Sequence, residues 1–199
     1  MKKRLVFATN NKHKLEEVRA ALGSAVEICS LAEIGLEGDI PETADTLQGN
    51  ALQKAQWVWQ RLPQGLAVDG VFADDTGLEV DALGGAPGVY SARYAGEHCS
   101  FDDNIDKLLA ALGGTANRKA DFRTVICLIE DGVEHYFEGR VDGIILTERH
   151  GAEGFGYDPV FMPNRFAVSF AEMPLDVKNS ISHRGLAVAR LKDYFAHAC

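Results

Sequence analysis

Two adjacent carboxylates, Asp74 and Asp75, follow the apolar run Val71-Phe72-Ala73 and precede a glycine-rich stretch that extends to Gly96. An apolar strand is a stiff mount, and a carboxylate where it opens into a loop can reach solvent, a metal ion or a substrate. Successive strand side chains point to opposite faces, so only one of the pair can enter a given cleft unless the strand has already ended. The alternative is that the pair merely starts a turn. Chemistry is favoured by Gly77, Gly84, Gly85, Gly88 and Gly96 with Pro87, which keep the following backbone able to approach a ligand closely.

Three other groups carry chemistry. Thr9-Asn10-Asn11-Lys12-His13-Lys14 lies between a strand and a helix, where free N–H groups and the positive helix end favour an anion such as phosphate. Neither a P-loop nor a dinucleotide-binding glycine pattern is present, and a solvated lysine-rich helix start is the competing reading. Gly154-Phe155-Gly156-Tyr157-Asp158-Pro159 is a rigid loop whose rings can stack on a flat base, worth about 1–3 kcal/mol per base. Buried aromatic packing is the alternative for either ring. Lys178, Ser182, His183 and Arg184 put hydrogen-bonding side chains near the start of the last helix, suiting a polar ligand, although a capped and solvated helix start also explains Ser182 and Arg184.

The elements that must position these groups follow from periodicity. Leu5 to Ala8 reads as a buried strand, then a helix carries Leu15, Val18, Ala21 and Leu22, and Val26 to Cys29 forms a second strand. Leu47, Ala51, Ala55, Val58 and Trp59 predict a helix from Thr46 to about Arg61, stopped by Pro63 and Gly65. Ser100 and Asp103 form a capping-box-like pair before Ile105, Leu108, Leu109 and Leu112. Phe122–Glu130 and Glu134–Leu146, joined at Asp131-Gly132, predict a β-hairpin. Ser182 caps a terminal helix with Leu186, Ala189, Leu191, Tyr194 and Phe195 buried. The mixture predicts an α/β architecture with a mixed sheet.

Composition sets the bounds. The 199 residues are read as one domain over 1–199, with 25% charged and 46% hydrophobic residues, ordinary for a globular protein. No stretch approaches the roughly 20 apolar residues of a membrane span, and no signal peptide is expected. Cys29, Cys99, Cys127 and Cys199 form no CxxC, so a reduced, cytoplasmic protein is expected. The net charge of −9 argues against an extended nucleic-acid surface. It leaves room for a small phosphorylated ligand, if a few lysines converge and a divalent cation neutralises part of its charge.

The segments TNNKHKLEE (9–17), ET (42–43), GNALQKA (49–55), ADDTGLEVDALGGAPGVYSARYAG (73–96), GFGYDP (154–159) and SHRG (182–185) together resemble the inosine triphosphate pyrophosphatase family, the XTP/dITP diphosphatases. Departures are small: Asn10 stands where glycine is common, Thr76 where serine is common, and Tyr157 where some members have tryptophan. The resemblance implies a long bent mixed sheet flanked by helices, with two lobes, a central cleft and a homodimeric assembly. It implies magnesium-dependent cleavage of deaminated purine triphosphates (dITP, ITP, XTP) between the α and β phosphates. Carried onto this chain, Thr9, Asn10, Asn11, Lys12, His13 and Lys14 would bind the triphosphate with Lys54. Glu42 and Asp75 would bind Mg²⁺, Asp75 also acting as the base toward water. Thr76 would touch substrate, and Phe155, Gly156, Tyr157, Asp158, Lys178, His183 and Arg184 would hold the nucleoside. The other readings are a similar pyrophosphatase acting on modified pyrimidine nucleotides, against which GFGYDP and SHRG speak, and a nucleotide sensor without turnover, against which Glu42 and Asp75 speak.

Overall fold

The computed structural model describes residues 2–23 and 26–197. Strand β1 (Lys3–Phe7) leads through helix α1 (Lys12–Leu22) to β2 (Val26–Cys29), and α2 (Leu47–Trp59) leads to β3 (Gly70–Val80). There follow β4 (Pro87–Gly88), α3 (Phe101–Ala111), β5 (Lys119–Glu130), β6 (Val133–Ile145), β7 (Phe161–Pro163), α4 (Leu175–Ile181) and α5 (His183–His197). The strands form one mixed sheet in the order β2-β1-β3-β5-β6-β7, with β4 paired to β3. β2 and β3 run parallel to β1, and the remaining pairs are antiparallel.

The local chemistry that sets these elements is the expected one. Asn11 caps α1 by accepting from the Lys14 N–H, and Thr46 caps α2 by accepting from Gly49. Ser100 and Asp103 complete a reciprocal capping box on α3. Asp131 and Gly132 both have positive φ, 52° and 78°, which matches the twist a two-residue hairpin needs. Ser182 accepts from the Gly185 N–H and so caps α5.

Two features depart from expectation. The Asp pair does not sit where a strand ends: β3 continues through it to Val80, pairing residue for residue with β5. Gly77, which suggests a break, is required for space, since a Cβ there would stand 2.9 Å from the Gly88 carbonyl oxygen of β4. Helix α4 has no periodic signature in the sequence, because among its described side chains only Lys178 is buried and it shows no apolar stripe.

Three apolar clusters hold the sheet. At one end Phe7, Phe72, Ile126 and Leu128 pack beneath α1 and α5, and Val6, Val71, Ala73 and Cys127 pack beneath α2 on the opposite face. At the other end Leu78, Phe122, Phe161 and Phe170 pack with Ile105 and Leu108 of α3. Residues 74–77 of β3 lie between these clusters, so the polar positions fall where the core is interrupted.

Candidate active site

Alternation along β3 sends Asp74 and Thr76 to the face of α1 and α5, with Phe72, and Asp75 to the face of α2, with Val71 and Ala73. On the α2 side, Lys54 places its ammonium 2.5 Å from Glu42 Oε1 and 3.0 Å from Asp75 Oδ1. Asn50 donates to Asp75 Oδ2 at 3.1 Å, and Arg93 reaches Glu42 through its carboxylate at 3.6 Å and its carbonyl at 3.2 Å. Burial pushes the Asp75 carboxyl up from its ordinary value, with Glu42 adding to the effect, despite Lys54 and Lys14. Burial also opposes ionisation of Glu42, but Lys54, Lys14 and Arg93 outweigh it and hold that carboxyl below its ordinary value.

On the other face a second chain of alternating charges runs Lys14–Asp74–Arg184–Glu17–Lys178–Asp158. Lys14 Nζ is 3.1 Å and Arg184 Nε 3.0 Å from the Asp74 carboxylate. Glu17 accepts from Arg184 at 2.5 Å and from Lys178 at 2.6 Å, and Lys178 reaches Asp158 at 2.7 Å. Burial opposes ionisation of both Asp74 and Glu17, but their cationic partners outweigh it and hold both carboxyls below the ordinary range. Thr76 Oγ1 accepts from Arg184 Nη2 at 3.2 Å and meets Thr124 Oγ1 across the strands at 2.7 Å. Five carboxylates (Glu17, Glu42, Asp74, Asp75, Asp158) therefore face five cations (Lys14, Lys54, Arg93, Lys178, Arg184), and the site is neutral by itself.

These side chains surround a cleft that opens to solvent. Asn11, Lys14, Glu42, Asp75, Thr76, Phe155, Gly156, Tyr157, Asp158, Lys178, His183 and Arg184 line it, and Lys54 stands behind the two carboxylates. The Tyr157 ring belongs to the apolar cluster, 4% exposed, with its hydroxyl donating to the Ser91 carbonyl, so Phe155 is the more available ring. Asp158 is committed internally, accepting from the Phe155 N–H and from Lys178. His183 is stacked on Phe122, centroids 4.4 Å apart, and its buried Nδ1 has no hydrogen-bond partner among the described residues. Burial, reinforced by Arg184 and Lys178, keeps this imidazole neutral, and a neutral ring offers a ligand one donor and one acceptor.

Four of the expected binding residues, Thr9, Asn10, Lys12 and His13, do not line this cleft. Thr9 Oγ1 accepts from the Asn11 N–H and so shapes the turn, and Asn10 donates to the Gly38 carbonyl. Lys12 is exposed, and the exposed His13 ring stacks on Phe155 from outside the cleft at 5.3 Å. Glu17, Asn50 and Arg93 lie inside the quoted segments but carry no assigned role there, and Phe122 and Thr124 lie outside them. Glu17 had a signal: Lys14, Glu17, Val18 and Ala21 share one helical stripe, and a carboxylate on an apolar stripe asks for a buried partner.

Among the described residues no three His, Cys, Asp or Glu side chains are grouped to hold a metal ion. Glu42 and Asp75 do converge, both on one cation, the Lys54 ammonium. Two hard carboxylates fit magnesium, which takes few protein ligands and completes its shell with water and phosphate oxygens.

The mixed sheet and the charged cleft across its middle define an α/β protein with paired carboxylates at a buried polar site. The Ham1 family model matches residues 5–194, and the chain belongs to that family. A dITP/XTP pyrophosphatase of Porphyromonas gingivalis is 59% identical over 192 residues, which cover 96% of each protein. The Ham1 protein of Staphylococcus aureus superimposes with a TM-score of 0.86 at 36% identity, covering 99% of this chain and 100% of that one. A nucleoside-triphosphatase/dITP/XTP pyrophosphatase from Mycobacterium abscessus gives a TM-score of 0.73 at 38% identity, covering 94% and 98%.

Proposed function

We propose that this chain hydrolyses deaminated purine nucleoside triphosphates, dITP, XTP and ITP, to the monophosphate and pyrophosphate. The P. gingivalis relative carries the dITP/XTP pyrophosphatase name at 59% identity. The observation that carries the reading in this chain is the convergence of Glu42 and Asp75 on one cation at the cleft, opposite Phe155, Lys178, His183 and Arg184.

Water attacks the α-phosphorus, the bond to the α–β bridging oxygen breaks, and pyrophosphate leaves. Asp75 orients that water and takes its proton. Lys14 and Lys54 meet the negative charge of the phosphates. Mg²⁺, held by Glu42 and Asp75, would counter charge on the phosphates and the leaving group. Phe155 offers a face to the base, while Lys178, Arg184 and neutral His183 present donors toward its oxygens.

Pyrophosphate release from dITP, XTP, dGTP and dATP, each with Mg²⁺ and with excess chelator, tests the reading. Release from dITP and XTP at least tenfold faster than from dGTP, abolished by chelation, is expected. Orthophosphate as the product, or no turnover, would overturn it. A homodimer and a cytoplasmic setting belong to the same reading. Exposed Tyr90 offers an aromatic to a partner surface, and the thiols of Cys29, Cys99 and Cys127 are free, as in a reducing compartment. Light scattering checks the dimer.

A further inference from the structure

In the free protein all four oxygens of the two candidate metal-binding carboxylates are occupied. Asp75 Oδ1 and Glu42 Oε1 face Lys54 at 3.0 and 2.5 Å, Asp75 Oδ2 accepts from Asn50 at 3.1 Å, and Glu42 Oε2 lies 3.6 Å from Arg93. Lys54 projects from the middle of α2 and its side chain is 5% exposed. The local charge already balances, with Lys54 and Arg93 against Glu42 and Asp75. A dication arriving alone would leave an excess of two positive charges and strand a buried ammonium without its partners, which is costly. A triphosphate arriving with the dication removes both obstacles. It supplies the missing negative charge, and it gives the flexible lysine stem a new place for its ammonium.

We propose that Lys54 holds, in the nucleotide-free protein, the place of the divalent cation between Glu42 and Asp75, so that metal enters only with the triphosphate, onto which the Lys54 ammonium transfers. The proposal rests on the reading of Glu42 and Asp75 as metal ligands. Lys54 is thereby more than a phosphate contact: it prevents the carboxylate pair from collecting free metal.

Binding of Mn²⁺ alone, followed by electron paramagnetic resonance, tests this without turnover. Lys54→Met should bind Mn²⁺ at least fivefold tighter than wild type, and adding Asp75→Asn to that variant should remove the gain. A smaller gain, or one that survives Asp75→Asn, overturns the proposal. Should circular dichroism show that Lys54→Met does not fold, wild type decides. Its Kd for Mn²⁺ alone should be weaker than about 1 mM, equivalent to about −4.1 kcal/mol, and a tighter value overturns the inference. Pyrophosphate release is read separately, so an inactive enzyme with the expected Mn²⁺ behaviour would sink the catalytic reading and leave this one standing.

Discussion

Asp75 divides its oxygens between Lys54 and Asn50, whereas Asp74 is held by Lys14 and Arg184 on the opposite face of β3. Different consequences follow for the two amides. Asp74→Asn leaves two buried cations short of a partner, and breaking such a pair costs about 3–5 kcal/mol; urea denaturation should show it. Asp75→Asn leaves Lys54 with Glu42 as its remaining partner and removes a carboxylate whose ionisation burial already disfavours, so it should cost less stability than Asp74→Asn while turnover falls about 10²- to 10⁴-fold. His183 gives a pH dependence. Its folded-state pKa lies well below the ordinary value, so on acidification through about 6.5 the unfolded chain takes up a proton that the folded chain does not. Stability conferred by this residue is complete above that pH and is lost below it, by about 1.4 kcal/mol per pH unit. His183→Phe, which can keep the stack on Phe122, should lose less stability than wild type between pH 6.5 and 5 in thermal melts. The candidate residues Asp75, Lys14, Phe155 and Arg184 were legible because their types and order form motifs. Glu17, Asn50 and Arg93 stand in the same segments, but their roles as partners were not legible, because pairing across the fold leaves no local spacing to read.

The first turn of α5 makes two close approaches that only glycine permits, one from Gly139 of β6 and one from its own Gly185. A Cβ on Gly139 of β6 would collide with the His183 carbonyl, and one on Gly185 would collide with the Asn179 carbonyl of α4. The helix start that carries His183 and Arg184 is thus set by how closely β6 and α4 approach it. Gly139→Ala should push that turn out, lowering the melting temperature and raising KM for dITP severalfold; an unchanged KM with a lowered melting temperature would show that the turn is not displaced. The amphipathic helices α1, α2 and α3 and the Asp131-Gly132 hairpin were legible because each has a local cap, stripe or turn. The continuation of β3 through Gly77 and the polar helix α4 were not, since tertiary contacts alone make a glycine fit mid-strand and let a helix bury a lysine.

Strands β3, β5 and β6 are 11, 12 and 13 residues long and pass through both ends of the core. Neither end can lose its sheet without the other, so unfolding in urea should be one transition. The fluorescence of Trp57 and Trp59, which pack in the cluster under α2, should then change together with the near-ultraviolet circular dichroism of Phe122 and Tyr157 at the far end. Separate midpoints would mean two domains. Between those ends lie the ten alternating charges. Because most of them touch two of the opposite sign, exchanging one is tolerated only if a neighbour changes with it, and that neighbour's own partner is disturbed in turn. Among diverging descendants of this chain, these positions should be inherited as one block, altered together or left alone, while the exposed helix surfaces around them drift freely.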